Sequence, residues 1–162
     1  MFKIKLLILL LASFFIFSCT HDQNNSSNQK YALAYIGGGY DGLLLKNYLI
    51  SSLKNLDLYD PYSDYEIKAS ITHRANLYIT NIDNTSDRER VNTTLAFQVI
   101  KNSSNCQLSK EEINISQFYI YASADKFLSN QTALREIKKD NTESSVNRLI
   151  RKLININNKC DE

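Results

Sequence analysis

The chain has 162 residues, 43% of them hydrophobic and 22% charged, with 19 Lys+Arg against 17 Asp+Glu, ten tyrosines and no tryptophan. That length supports one domain with one core. The near-even charge argues against a nucleic-acid partner, and four glycines with a single proline, Pro61, argue against a low-complexity linker protein.

Met1 to Lys5 carries two lysines and is followed by an apolar run, Leu6 to Phe17, broken only by Ser13. These are the n-region and h-region of a secretory signal. The run is too short to span a bilayer, which takes about 20 residues. It closes on Ile16-Phe17-Ser18-Cys19, which resembles a bacterial lipobox: aliphatic at −3, small at −1, cysteine at +1. On that reading residues 1–18 are removed and Cys19 becomes the acylated first residue, a membrane anchor. The alternative is an ordinary secretory signal with a chance cysteine. Thr20 follows the anchor instead of the Asp that retains many lipoproteins at the inner membrane, which fits outer-membrane sorting. Loss of Lys3 and Lys5 leaves 17 basic against 17 acidic residues. Residues 19–30, rich in Asn, Gln and Ser, are expected to form a flexible tether.

The ordered domain is expected over residues 31–157, with a short tail at 158–162. Tyr31 to Gly39 reads as a short strand ending in three glycines. They lack the spacing of a phosphate loop and predict a tight strand-to-helix turn. Asp41 is a candidate cap for a helix whose stripe is Leu45, Tyr48, Leu49, Ser52, Leu53 and Leu56. Pro61 and the aspartates of residues 57–64 mark a loop. From Tyr65 to Thr80 apolar residues, with His73 among them, take the odd positions and mostly polar ones the even, the period of one long half-buried strand or of two strands in line with a bulge. Asn81 to Asp87 is a turn, and Val91 to Val99 repeats the alternation. Residues 101–111 read as a loop, and a fourth strand is expected from about Glu112 to Ala122. The last third is helical, with Asp140 to Ser145 polar enough for a wet turn or a break. The order β-α-β-β-β-α implies an α+β fold, two helices packed on one face of a mostly antiparallel or mixed four-stranded sheet.

Chemistry-bearing constellations are few. No metal-ligand, nucleophile or paired-carboxylate motif stands out, so neither a catalytic residue nor a metal or other cofactor is expected, and the chain does not read as an enzyme. His73 lies on the apolar face of a strand and reads as a core histidine. Arg88 and Arg90 present guanidinium forks suited to phosphate, with Lys101, Lys110 and Lys126 as further candidates for anion contact. Tyr59, Tyr62, Tyr65, Tyr78, Tyr119 and Tyr121 cluster near strand ends, a residue type favoured at wet interfaces. In an oxidising compartment Cys106 and Cys160 either pair as a disulfide or remain free.

Taken together, the lipobox, the helix carrying "LKNYLISSL" (Leu45 to Leu53), "DPYSDYEIKASI" (Asp60 to Ile71), "RERVNTTLAFQV" (Arg88 to Val99), "FYIYASAD" (Phe118 to Asp125) and a long last helix resemble the LPS-assembly lipoprotein LptE family, most of all its divergent alphaproteobacterial branch. Lys46-Asn47-Tyr48-Leu49, a Pro-x-Tyr-type lead-in to the second strand (here Pro61-Tyr62) and an Arg before the third carry the likeness. The resemblance implies a non-enzymatic lipoprotein on the periplasmic face of the outer membrane. Its partners would be the membrane through its N-terminal lipid, an LptD-type β-barrel that it plugs and stabilises, and lipopolysaccharide, whose transport it assists. The alternative is an envelope lipoprotein that binds a ligand or partner without a barrel.

Overall fold

The computed structural model describes residues 29–79, 87–121 and 126–156. Its elements are β1 (Ala32–Gly37), α1 (Gly39–Asn55), β2 (Tyr65–Ile79), β3 (Asp87–Lys101), β4 (Cys106–Tyr121) and α2 (Phe127–Ile154). The sheet order is β1-β2-β3-β4; β1 runs parallel to β2 and the other pairs are antiparallel. This is the expected α+β arrangement of two helices and a mixed four-stranded sheet.

The alternation places Ile67, Ala69 and Ile71 of β2, Val91, Leu95, Phe97 and Val99 of β3 and Ile113 of β4 on one buried face. Against them α1 sets Leu45, Leu49 and Leu53, four residues apart, and α2 sets Val146, Leu149, Ile150 and Leu153. Tyr31 joins both helices at one end: its ring is buried and its hydroxyl donates to the Leu153 carbonyl at 2.9 Å. Burial pushes that phenol up to about 12.

Three local expectations need correction. Asp41 does not cap α1 but sits in its first turn; the chain enters the helix through Gly38 (φ 117) and Gly39 (φ 58). A Cβ on Gly38 would lie 2.6 Å from the Ile71 carbonyl, so the strand-to-helix turn hugs β2 too closely for a side chain. Residues 106–111 belong to β4, not to a loop, because only Asn102–Ser104 and Asn105 form the turn. Val99 pairs with Ser109 and Ile100 with Gln107, so Leu108 is an extra residue and the bulge breaks the alternation that marks a strand. Finally, α2 runs unbroken through residues 140–145, with Asn141, Thr142 and Ser145 buried. At the other boundary, Gln29 is buried and Lys30 both accepts from the Ser63 hydroxyl (2.5 Å) and pairs with Asp57 (2.9 Å).

The layers are unequal in length. The 15 residues of β2 and of β3 extend roughly 50 Å and the 28 of α2 about 42 Å, but the 17 of α1 cover only about 26 Å. β1 pairs only with Glu66 to Ser70. The domain therefore has a broad proximal end, where Gln29 to Tyr31 enter, and a thinner distal end, where β2 ends, β3 begins and α2 starts.

Candidate interaction surface

Polar residues meet in two places. The first is inside, between β2, β3 and both helices. His73 has a side chain only 1% exposed; its Nδ1 lies 2.7 Å from Thr93 Oγ1, and its Nε2 lies 3.5 Å from Thr142 Oγ1 and 4.0 Å from the Asp41 carboxylate. Asn141 Nδ2 donates to Thr93 Oγ1 at 2.9 Å and to the Val91 carbonyl at 3.5 Å. Burial lowers the His73 pKa; Asp41 opposes the shift and Lys138, 3.8 Å from Asp41, adds to it. A neutral ring results, held by hydroxyls. Such a group fastens α2 to the sheet, since it is closed off from solvent.

The second place is the face of the sheet opposite the helices. Here the even positions of β2, β3 and β4 line up in cross-strand rows. In the proximal half, Glu66 and Glu112 balance Lys68 and Lys110. A shallow hollow of about 460 Å³ lies there, bounded by Tyr35, Lys68, Ser70, Ala96, Gln98 and Lys110. In the distal half the charge is of one sign. Arg74 is opposite Asn92, Arg90 opposite Asn76, and Arg88 one step further out. Arg74 and Arg90 are thus diagonal neighbours, about 7–8 Å apart. Among the described residues, this half of the face carries three arginines and no carboxylate.

Neutral polar pairs fill the rows between: Thr94 donates to Asn114 at 2.7 Å and Ser116 to Asn92 at 2.5 Å. Beside the arginines stand two exposed apolar residues, Phe118 (50%) and Ile120 (74%). The Arg90 guanidinium lies over the Phe118 ring, 4.5 Å from its centre. Behind them, at the start of α2, Phe127 and Leu128 are also exposed. A planar cation beside an apolar rim suits an amphiphilic anion, a phosphate joined to hydrocarbon.

No protein-family model matches the sequence, and no curated protein matches it. Solved structures do. The chain is similar to rare lipoprotein B from Shewanella oneidensis, with a TM-score of 0.62 at 10% identity over 77% of this chain and 93% of that one. It is similar as well to a minor lipoprotein from Acinetobacter baumannii, with a TM-score of 0.57 at 13% identity over 78% and 93%. The fold is shared. At these identities the likeness speaks for the architecture, and the chain spans nearly the whole of each of those domains.

The structure sorts the candidates named from the sequence. Arg88 and Arg90 stand together on the open face, and Lys110 shares that face in its proximal half. Lys101 lies at the proximal end, 5.8 Å from the centre of the Tyr65 ring. Lys126, exposed, precedes α2. Cys106 opens β4 and is disulfide-bonded. Cys19 and Cys160 lie outside the described residues, as do the signal segment, residues 19–28 of the expected tether, the expected turn at 81–86 and the tail. Tyr119, grouped with the interface tyrosines, has its hydroxyl on Glu89 on the helix side of the sheet. Arg74 was missed. Its even position puts it on the same face as Arg88 and Arg90, but only the β2–β3 register shows that it stands beside them.

Proposed function

We propose that this chain is an outer-membrane lipoprotein of the LptE type, anchored through acylated Cys19 on the periplasmic face. It occupies and stabilises an LptD-type β-barrel and assists the passage of lipopolysaccharide, without catalysis. The observation that carries this reading is the distal open face, where Arg74, Arg88 and Arg90 adjoin Phe118 and Ile120. Phosphorylated glycolipid combines the charge and the hydrocarbon that this surface complements. The fold shared with two other lipoproteins supports the envelope setting, and a disulfide at Cys106, with Cys160 as the proposed partner, fits an oxidising compartment.

Affinity isolation of the tagged chain from detergent-solubilised outer membranes is expected to recover a large β-barrel protein in near one-to-one amount. Recovery of the chain alone would favour a free envelope lipoprotein instead. Charge reversal of Arg74 and Arg88 together is expected to weaken binding of lipopolysaccharide at least tenfold, since each charge-assisted contact contributes about 1.5–3 kcal/mol. Unchanged binding by the folded double variant would remove lipopolysaccharide from the proposal.

A further inference from the structure

We infer that the proximal end is a second interaction surface, one that seats the domain on anionic phospholipid headgroups of the leaflet holding its own anchor. The inference rests on the lipid-anchor reading of Cys19 but concerns residues at the opposite end of the domain from the arginine face. Between the start of β4 and the last turns of α2 lies a groove of about 530 Å³. Arg148, Arg151 and Lys152 rim it, with Leu108 and Ile156 as its apolar lining. The three cations fall at i, i+3 and i+4 and so share one face of the helix. Glu111 engages Lys152, and that ion pair holds the Glu111 carboxyl below the usual range. Among the described residues the groove is left with a surplus of two positive charges, both on exposed arginines.

Cations in the last turn of a helix are favoured by its dipole, which accounts for Arg151 and Lys152 taken alone. It does not account for what surrounds them. Tyr62 is 94% exposed, and Leu56 and Ile154 are exposed at the same end, at the C-termini of α1 and α2. Tyrosine, aliphatic tips and arginine at one level are the composition of a membrane–water interface, where rings sit among headgroups and guanidinium groups meet phosphate. Of the carboxylates of the nearby loop, one is neutralised by a lysine and two are held in place by neutral donors, with Lys101 near enough to Asp64 to favour its charge. Asp57 pairs with Lys30, Asp60 accepts from the Tyr62 backbone, and Asp64 accepts from the amide and hydroxyl of Ser103.

Chain length selects the occupant. Nine residues separate Cys19 from Gln29, ten steps of the chain with a reach of at most about 35 Å. The distal end lies the further length of α2 away, about 42 Å. An anchored chain thus brings its proximal end to the leaflet first. Headgroups there are the anion within reach, and the distal arginine face points away from that surface.

The absence of tryptophan gives a clean reporter. The full-length chain carrying Tyr62→Trp, purified with its lipid, is reconstituted into vesicles of phosphatidylcholine with or without phosphatidylglycerol. Docking predicts a blue-shifted emission, quenched by brominated lipid, in the phosphatidylglycerol vesicles. The shift is lost in high salt and in the Arg148→Glu/Arg151→Glu background, which leaves the Lys152–Glu111 pair intact. The salt arm needs no further substitution, so a misfolded variant does not decide the outcome. Emission that is the same in both vesicle types overturns docking. A blue shift that appears only when the barrel protein is added, and that brominated lipid does not quench, assigns the surface to protein and overturns docking too. Mass spectrometry of Cys19 and vesicle flotation on the same samples separate the two failures. A chain that floats while its indole stays water-exposed refutes the surface, whereas one that neither floats nor bears lipid refutes the anchor.

Discussion

His73 shows what one buried side chain does to the whole. Its folded pKa lies below the ordinary 6.5 because burial penalises the charged ring more than Asp41 favours it. The unfolded chain therefore takes up this proton first, and stability rises with pH across the window between the two values. The contribution is present in full above the unfolded value and is lost as pH falls from there through the lowered folded one. Urea midpoints followed from about pH 8 down to about pH 5 are expected to fall, and His73→Gln is expected to flatten that fall. An equal slope in the variant would assign the effect to another group. Gly38 is a second such residue. With φ 117, and the Ile71 carbonyl 2.6 Å from where a Cβ would stand, Gly38→Ala is expected to cost about 1–3 kcal/mol in urea unfolding. The sequence named both residues correctly in kind, a core histidine and a turn glycine. What it could not hold was Thr142 reaching His73 from 69 residues away and Asn141 reaching Thr93 from 48, since such partners come from tertiary pairing.

Elements were legible where one side chain follows the period of its backbone. β2 and β3 alternate cleanly and α1 repeats Leu at every fourth position, so their faces could be read directly. The start of β4 was misread because the Leu108 bulge and three consecutive charges, Lys110 to Glu112, mask its entry into the sheet. The middle of α2 read as a break for the opposite reason: its polar residues look wet, yet they face the polar cluster around His73. At this scale the α2 stripe is the main fastening of the helix layer. Leu149→Ala is expected to lower stability by about 2–5 kcal/mol, the range for emptying a fully buried leucine site, with the denaturant midpoint as the measure. Arg74 illustrates the limit for surfaces. Its face was legible and its neighbours were not, because register between strands is set by packing and turns.

As a whole the molecule is polarised. Among the described residues the distal open face carries only positive charge, the proximal open face is balanced, and the proximal end gathers aromatic, aliphatic and basic groups. A barrel partner that encloses the distal half should protect the ends of β2 and β3 while leaving the proximal loops open. Hydrogen exchange of the chain alone and in the isolated complex is expected to show slowing confined to residues 72–79, 87–94 and 114–121; uniform slowing would count against that orientation. The shortness of β1 has a mechanical side. Gln29 and Lys30 are where the chain leaves the domain, and β1 lies alongside Glu66 to Ser70 in parallel. Were the distal half held by the proposed barrel, tension drawn through residue 29 would run along the strand axis. It would load the β1–β2 rungs together in shear, with the Ser63–Lys30 and Tyr31–Leu153 hydrogen bonds as a latch behind them. Were the chain anchored at Cys19 as proposed, a pull from the membrane would be borne without peeling the sheet one rung at a time.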